Sequence, residues 1–353
     1  MADQRICRLP LLVVVVVGVA DVVWSRQAGL HFSGWMPPAI AATLCMGIAL
    51  LYSGLRQAPP LAELASYAAA WIGFTAFGAV FTYLAASVSR PLIDPGLTAF
   101  DEWFGFDWPG WADYVHRHTA LTVLLRLAYG SLVLQIAGSV IWFALARVSR
   151  RNEELLISAT VALILTSIVY AAWPALGPCV QFGGHGALPI ATAYVPDVLL
   201  LRHGAAVSFT LSAMQGVISF PSYHTVLALL LIHAHRGQPT FAPVVVVNAV
   251  MLLAIPSEGV HYLADMIAGG AVAVVALAAV SEPLACEPGS YTLAPTRNWG
   301  LAWAMEFGRR ASMVCYLVGR HSPSASPVPP QPHGPIAPRP RQSQSLPPSP
   351  PAR

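Results

Sequence analysis

Long apolar runs separated by short polar segments dominate the chain, and they predict membrane-spanning helices. A helix needs about 20 mostly apolar residues to cross the hydrocarbon core of a bilayer. Eight runs are candidates; the first and the sixth are short, and a tight hairpin at 235–239 separates the sixth from the seventh. The predicted spans are 9–25, 38–55, 63–88, 119–146, 154–173, 221–235, 240–256 and 259–281. The expected fold is all-α, a polytopic membrane helix bundle of about eight transmembrane helices.

The composition supports the membrane class. Hydrophobic residues make up 56% of the 353 residues and charged residues only 10%, with a mean hydropathy of +0.61. A soluble domain carries about 25% charged residues, so this chain cannot cover a water-facing surface. The net charge of +3 is small and gives no reason to expect a nucleic-acid partner. All 19 basic residues are arginine, so a cationic side chain that contacts phosphate must be an arginine. The five cysteines form no CxxC pair, and neither a disulfide framework nor a zinc site is indicated.

Arginine placement predicts the orientation, because short cytoplasmic loops of membrane proteins are enriched in positive charge. With Arg5 and Arg8 in the cytoplasm, the cluster around Arg150 and both chain termini also fall inside. The non-cytoplasmic side then receives the loops 26–37, 89–118, 174–220 and 257–258. We therefore expect a multi-pass protein of a bacterial-type inner (plasma) membrane. A signal peptide is the weaker alternative for the first apolar run.

Composition also divides the chain into segments. Residues 1–60 hold N-terminal membrane helices, and 61–285 form the main membrane domain. Residues 286–320 are interpreted as an interfacial flank. The segment 321–353 is rich in Pro, Ser and Arg; it cannot bury apolar surface and is predicted to be disordered.

The first stretch with candidate chemistry opens the sixth predicted helix and reads Phe-Pro-Ser-Tyr-His-Thr from 220 to 225. Pro221 suits the first turn of a helix, where its missing N–H costs nothing. The free backbone N–H groups of a helix N-terminus form a natural phosphate cradle. His224 is therefore predicted to lie beside an anion site.

The second stretch opens the eighth predicted helix and contains His261 and Asp265. Residues four apart share one helix face. A carboxylate there can accept from one imidazole nitrogen, which fixes the tautomer and leaves the other nitrogen free as a nucleophile or base. From His224 to His261 is 37 residues, about one helix across the membrane and one back. Both histidines are therefore expected at the same membrane face.

Both stretches resemble signatures of the type 2 phosphatidic acid phosphatase superfamily. The second signature of that family reads Pro-Ser-x-His, as at 221–224, and the third has a histidine with an aspartate four residues on, as in His261 and Asp265. The Phe-Pro-Ser-aromatic-His-Thr and His-Tyr-x-x-Asp-x-x-Ala-Gly forms are most similar to the branch of inositol phosphorylceramide synthase, the inositolphosphotransferase-like members. The resemblance covers 200–280 and extends back toward residue 60.

The chain departs from that family at the first signature, which has a lysine and, seven residues on, Arg-Pro. The chain has no lysine, and only Arg90 with Pro91 and Asp94 is similar to the end of the signature. Arg202 lies upstream of the second signature, as an arginine does in the inositol phosphorylceramide synthase branch, and is the preferred phosphate-binding candidate. Arg90 and Ser222 are further candidates, and a headgroup anchor is the alternative for either arginine. The departure favours the transferase-like branch.

The resemblance implies a six-helix catalytic core and a metal-independent reaction without a cofactor. His261, held by Asp265, would attack phosphorus and form a phosphohistidine. His224 would protonate the leaving alkoxide and then deprotonate water or an acceptor alcohol. Arg202 and the amides around Ser222 would stabilise the phosphoryl charge. The expected partners are a lipid phosphate substrate and membrane lipids, and the oligomeric state stays open.

Three other interpretations remain at this stage. The His261–Asp265 pair can be purely structural. A transporter or lipid flippase would use His and Asp as a proton relay, but it predicts ionisable residues in the middle of several spans. An intramembrane serine protease would use Ser222 with His261 and would leave His224 without a role.

Overall fold

The computed structural model of the protein describes residues 8–183, 192–204 and 207–285. These residues belong to one folded unit. The predicted interfacial flank at 286–320 and the predicted disordered tail at 321–353 lie outside the described residues.

Helices dominate the described residues. They are α1 (Arg8–Ala28), α2 (Met36–Gly54), α3 (Pro59–Ala86), α4 (Asp94–Trp103), α5 (Trp108–Arg117), α6 (Thr119–Gly130), α7 (Leu132–Leu145), α8 (Ser149–Ala172), α9 (Pro178–Gln181), α10 (Val195–Arg202), α11 (Tyr223–Ala234), α12 (Phe241–Glu258) and α13 (Leu263–Ala285). Two short strands, β1 (His31–Ser33) and β2 (Ser208–Thr210), pair in parallel with Phe32 opposite Phe209. The predicted all-α membrane bundle is confirmed.

Six of the helices, α1, α2, α3, α8, α12 and α13, are long and apolar enough to cross a membrane, counted over the described residues. They correspond to six of the eight predicted spans. The fourth predicted span, 119–146, consists of two helices, α6 and α7, which meet at an angle of 46°. Gly130 and Ser131 lie at the break, and the Ser131 hydroxyl donates to the Ala128 carbonyl oxygen at 2.6 Å. Gly/Ser pairs are a known cause of sharp kinks.

The sixth predicted span, 221–235, is the short apolar helix α11 of 12 residues. At 1.5 Å per residue it is about 18 Å long, against about 30 Å of hydrocarbon. It is therefore too short to cross the bilayer. Ser222 and Thr225 at its start are buried, so α11 begins within protein.

The core lies where α3, α8, α11 and α13 pack together, with α7 and α12 beside them. Fully buried alanines such as Ala70, Ala159 and Ala276 line these contacts. Small side chains let membrane helices approach closely, so that dispersion contacts replace the hydrophobic driving force that lipid does not supply.

Polar side chains gather at the two ends of this bundle. At one end, where α8 begins and α11 ends, the buried Glu154 accepts from Arg236 Nη2 at 2.8 Å and lies 3.0 Å from His233 Nε2. At the other end, α4 packs on the start of α13, and Trp108 of α5 and Cys179 of α9 pack with Val260 just before that start. His224 and His261 lie at this second end, as their 37-residue spacing predicted.

Candidate active site

The start of α11 is built by Ser222. Its side-chain oxygen accepts from the Thr225 amide at 3.4 Å, so Ser222 is the N-cap and the helix begins at Tyr223. Pro221 therefore lies before the helix. Its predicted place in the first turn is wrong, because the helix begins only after the capping residue Ser222. The amides of Tyr223 and His224 are the first two of the helix and have no intrahelical acceptor.

The second stretch also differs from the prediction. α12 ends at Glu258 and α13 begins at Leu263, so His261 lies in the link between them and not on a helix face shared with Asp265. The link turns sharply at Val260, whose φ of +54° is strained for a β-branched residue. This turn folds the His261 ring back over the first turn of α13. His261 Nδ1 still lies 3.1 Å from Asp265 Oδ2.

Asp265 is fully buried and organises its surroundings. Its Oδ2 also accepts from the Tyr262 amide at 2.9 Å and from the Ser219 hydroxyl at 3.3 Å. A carboxylate can accept from His261 only if the proton is on Nδ1, which leaves the lone pair on Nε2 available. The arrangement can therefore present a nucleophilic or basic imidazole nitrogen.

Asp101 of α4 caps the N-terminus of α13 from another part of the chain. Its two carboxyl oxygens accept from the amides of Leu263 at 2.8 Å and Ala264 at 2.9 Å. Burial raises the pKa of the Asp101 carboxyl, and the two amide hydrogen bonds oppose that rise. This cap holds the first turn of α13, which carries Asp265.

Close backbone contacts bring the two stretches together. The Ser222 amide donates to the backbone carbonyl oxygen of Asp265 at 2.9 Å. A Cβ at Gly269 would overlap the Ser222 carbonyl oxygen, so only glycine lets α13 approach the start of α11 here. A Cβ at Gly259 would lie 2.9 Å from both His261 Cδ2 and Tyr129 Cε2, which shows how closely these two rings approach.

His224 stacks on Tyr129 of α6, with ring centroids 4.4 Å apart and an interplanar angle of 19°. Its Nδ1 lies 3.3 Å from the Tyr129 hydroxyl. His224 also interacts electrostatically with His261. The structure thus brings His224, His261, Asp265 and Ser222 into one cluster.

Asp94 holds the adjoining loop. Its carboxylate accepts from the amides of Leu176 at 3.0 Å and Gly177 at 2.8 Å, and from the Tyr262 hydroxyl at 3.3 Å. Gly177 has φ +93° and lies against the Val260 carbonyl oxygen, so the loop packs directly on the turn before His261. The hydroxyl of Tyr194 donates to the Leu176 carbonyl oxygen, and burial raises its pKa.

No sequence motif indicated Asp101 or Tyr129 as part of the site, and Asp94 stood out only for its likeness to the first signature. Asp94, Leu97 and Asp101 are the buried residues of α4, spaced i, i+3 and i+7. That spacing places the three residues on one face of a helix, and it is visible within the segment 89–118, which was predicted to be a loop. Tyr129 lies in an apolar span and carries no comparable signal.

The two arginines contact each other through the backbone. Arg202 Nη2 donates to the Arg90 carbonyl oxygen at 2.6 Å, while Arg202 Nη1 is buried without a hydrogen-bond partner. Arg202 interacts electrostatically with Tyr170, and Tyr194 interacts with both Tyr170 and Asp265. Arg90 is exposed just beyond the end of α3. The two arginines therefore lie together where α3 and α10 end.

A cavity of about 350 Å³ lies next to this cluster and is lined by Asp101, Glu102, Asp107, Trp108 and Tyr262, among others. Its acidic lining is unfavourable for a phosphate group. Within the part of the chain that the structure describes, no three His, Cys, Asp or Glu side chains group as metal ligands.

Comparison with known proteins gives one match. A family model described as the PAP2 superfamily covers residues 95–279, more than half of the chain, and includes His224, His261 and Asp265. No curated protein and no solved structure matches the chain. Together with the membrane spans, the match gives a phosphatase-type membrane enzyme. The chain belongs to the PAP2 superfamily.

Proposed function

We propose that the protein is a lipid phosphatase or phosphotransferase that works through a phosphohistidine on His261, without a metal. The observation that carries the proposal is the buried His261–Asp265 pair, whose imidazole lies close to Tyr129, the ring on which His224 stacks. His224 and Asp265 complete the catalytic set. A proton-relay transporter, the alternative from the sequence, is not favoured by membership of the PAP2 superfamily.

In the first step His261 Nε2 forms a bond to phosphorus as the bond from phosphorus to the leaving alkoxide breaks. His224 gives its proton to that alkoxide oxygen. If His224 Nδ1–H donates to the Tyr129 hydroxyl, the Nε2 atom reacts: it gives its proton to the alkoxide as part of an imidazolium and is left as a neutral imidazole nitrogen with a free lone pair. In the second step water or an acceptor hydroxyl gives its proton to His224 and attacks phosphorus, and the bond from phosphorus to nitrogen breaks.

The phosphoryl oxygens would be held from two sides. Arg202 Nη1 is a buried donor without a partner, and such donors require one. The Tyr223 and His224 amides at the start of α11 supply the second side. The Ser222 amide donates to the Asp265 carbonyl oxygen, and its side-chain oxygen accepts from the Thr225 amide. Ser222 therefore contributes to phosphate binding by capping this helix start. Its complete burial and capping role also speak against the serine protease reading. Arg90 is the outer candidate, at headgroup level.

The same proposal includes the phosphoryl acceptor and the membrane face on which the active site lies. The Phe-Pro-Ser-Tyr-His-Thr stretch and the lack of lysine support an inositolphosphotransferase-like enzyme, which would use a hydroxyl acceptor. Arginine placement supports a bacterial-type inner membrane with both termini in the cytoplasm and the site on the other face. The domain limits of 61–285 also remain a prediction.

A panel of lipid phosphates with the purified protein tests the chemistry. Free phosphate and new phospholipid species are measured for the wild type and for His261→Ala, Asp265→Asn and His224→Ala. The control is His203→Ala, an exposed histidine at the same end of the bundle. We expect His261→Ala to abolish both products, His224→Ala to lower the rate about 10²–10⁴-fold, and the control to match the wild type.

Two further readouts separate the parts of the proposal. An acid-labile phosphoenzyme that forms in the wild type and is absent in His261→Ala would support the intermediate directly. Full activity of His261→Ala or Asp265→Asn at wild-type expression would refute the assignment. Chelator-resistant turnover is expected, and loss of turnover on chelation would contradict the metal-free mechanism.

A further inference from the structure

A second cavity, of about 560 Å³, lies in the N-terminal part of the bundle, outside the range that matches the family. Its walls come from the last three turns of α1, from the segment that contains β1, and from α3. The volume falls within the usual range of ligand pockets, about 300–1,000 Å³. The catalytic cluster makes no use of this cavity.

The wall of this cavity contains a buried carboxyl group, that of Asp21. Asp21 is 2% exposed, and neither of its side-chain oxygens has a hydrogen-bond partner. Two donors in the cavity lining are used elsewhere: the Ser25 hydroxyl donates to the Val22 carbonyl oxygen at 3.2 Å, and Trp35 Nε1 donates to the Phe32 carbonyl oxygen at 2.9 Å.

An unpaired carboxyl group within an apolar span is costly and is a functional candidate by default. Packing does not explain the presence of Asp21. An apolar residue of the same size would fill the cavity wall without the cost of burying an unpaired carboxyl group. The carboxyl group therefore calls for a cationic partner that enters the cavity.

Three aromatic rings line the same cavity: Phe32, Trp35 and Phe77. The ring centroids of Trp35 and Phe77 lie 5.5 Å apart and the two ring planes are tilted by 40°, so the rings form adjacent walls of the cavity. Aromatic faces attract cations, and quaternary and methylated ammonium groups are commonly bound in such aromatic cages. A carboxylate beside aromatic rings suits an ammonium group in both charge and shape.

We propose that this cavity binds an ammonium group, with the Asp21 carboxylate as its counter-charge and the three rings around it. Arg26 and His31 line the cavity at the end of α1 and are exposed there. They suit an anionic group carried on the same ligand, such as the phosphate of a zwitterion. The ammonium group can come from a phospholipid headgroup or from a free amine. The site is independent of the catalytic proposal and goes beyond it.

The test uses the full-length protein in a maltoside detergent, without ammonium salts in the buffer. Melting temperature and calorimetric binding are measured with choline and ethanolamine, and with ethylene glycol as a neutral comparison. Native mass spectrometry compares phosphatidylethanolamine and phosphatidylcholine with phosphatidylglycerol, which lacks the ammonium group. Binding of the free amines identifies a soluble ligand, and binding of the two zwitterionic lipids alone identifies a headgroup.

Asp21→Asn removes the charge and keeps the shape of the side chain. The matched control is Glu63→Gln, because Glu63 of α3 is a carboxyl group in a span that already accepts from Ser149 and Asn152. We expect Asp21→Asn to weaken ammonium binding at least tenfold, Asp21→Glu to retain most of it, and Glu63→Gln to bind like the wild type. Without ligand, Asp21→Asn should melt at the same or a higher temperature.

Three results would overturn the site. The first is wild-type protein that binds neither the amines nor the zwitterionic lipids better than their neutral or anionic comparisons. The second is undiminished binding by Asp21→Asn. The third is a marked fall in the melting temperature of Asp21→Asn without ligand, which would make Asp21 a structural group.

Discussion

Replacement of Asp101 by alanine is the sharpest test of how the fold positions the candidate site. Asp101 is 3% exposed and caps α13 through the amides of Leu263 and Ala264. Alanine leaves both donors without an acceptor. It also frees the first turn of α13, where Asp265 orients the His261 ring. The variant should therefore lose stability and turnover together, although Asp101 itself is a positioning residue and not a catalytic one.

The magnitude follows from the two hydrogen bonds. A buried donor left unsatisfied costs about 1–3 kcal/mol, and Leu263 is only partly buried, so we expect a loss of about 2–4 kcal/mol. For domains of 150–250 residues each kcal/mol corresponds to about 2–4 °C in melting temperature. Asp101→Ala should thus melt about 4–16 °C lower. Asp101→Asn should lose about half as much, because its amide oxygen can still accept from one of the two donors.

The assay is thermal melting of the detergent-solubilised protein, combined with phosphate release measured below both melting temperatures. Glu102→Ala is the matched control, because Glu102 is the next residue of α4 and is exposed. It should stay within about 0.5 kcal/mol of the wild type. In Asp101→Ala, kcat should fall more than KM rises, since the reacting imidazole is misplaced while the arginine contacts remain. If Asp101→Ala melts and turns over like Glu102→Ala, the capping argument is refuted.

Three other predictions concern separate parts of the molecule. Gly269→Ala should destabilise the protein by about 1–3 kcal/mol and reduce phosphate release, whereas Gly270→Ala, whose Cβ meets its nearest neighbour at 3.8 Å, should melt like the wild type. Glu154→Ala should cost about 3 kcal/mol, the lower end for a buried ion pair, because Arg236 is 33% exposed; an unchanged melting temperature would contradict this. Burial raises the pKa of the Cys179 thiol to about 11. With Cys179 as the only cysteine, alkylation should be about 100-fold slower at pH 8 than for a free thiol and should rise up to about pH 11, so a plateau near pH 9 would argue against it.

Local patterns located the candidate site but misplaced its details. The apolar runs predicted the spans, and the four-residue spacing of His261 and Asp265 predicted their contact. The positions of Pro221 and His261 relative to their helices were predicted wrongly. A helix end depends on which acceptor captures the first free amides, and for α13 that acceptor is Asp101, 162 positions earlier in the chain. Hydrophobic periodicity does not contain this information.

Sequence patterns were sufficient to predict the membrane class and to nominate candidate residues for the chemistry. Both follow from properties that act over one helix turn or one bilayer thickness. Tertiary structure alone decided what surrounds those residues: Tyr129 stacks on His224 from 95 positions away, and Asp94 anchors the loop at Leu176 from 82 positions away. Tertiary structure alone also showed that Asp21 is unpaired beside a cavity. Such contacts depend on how helices pack against one another, and packing is a property of the assembled bundle rather than of any single segment.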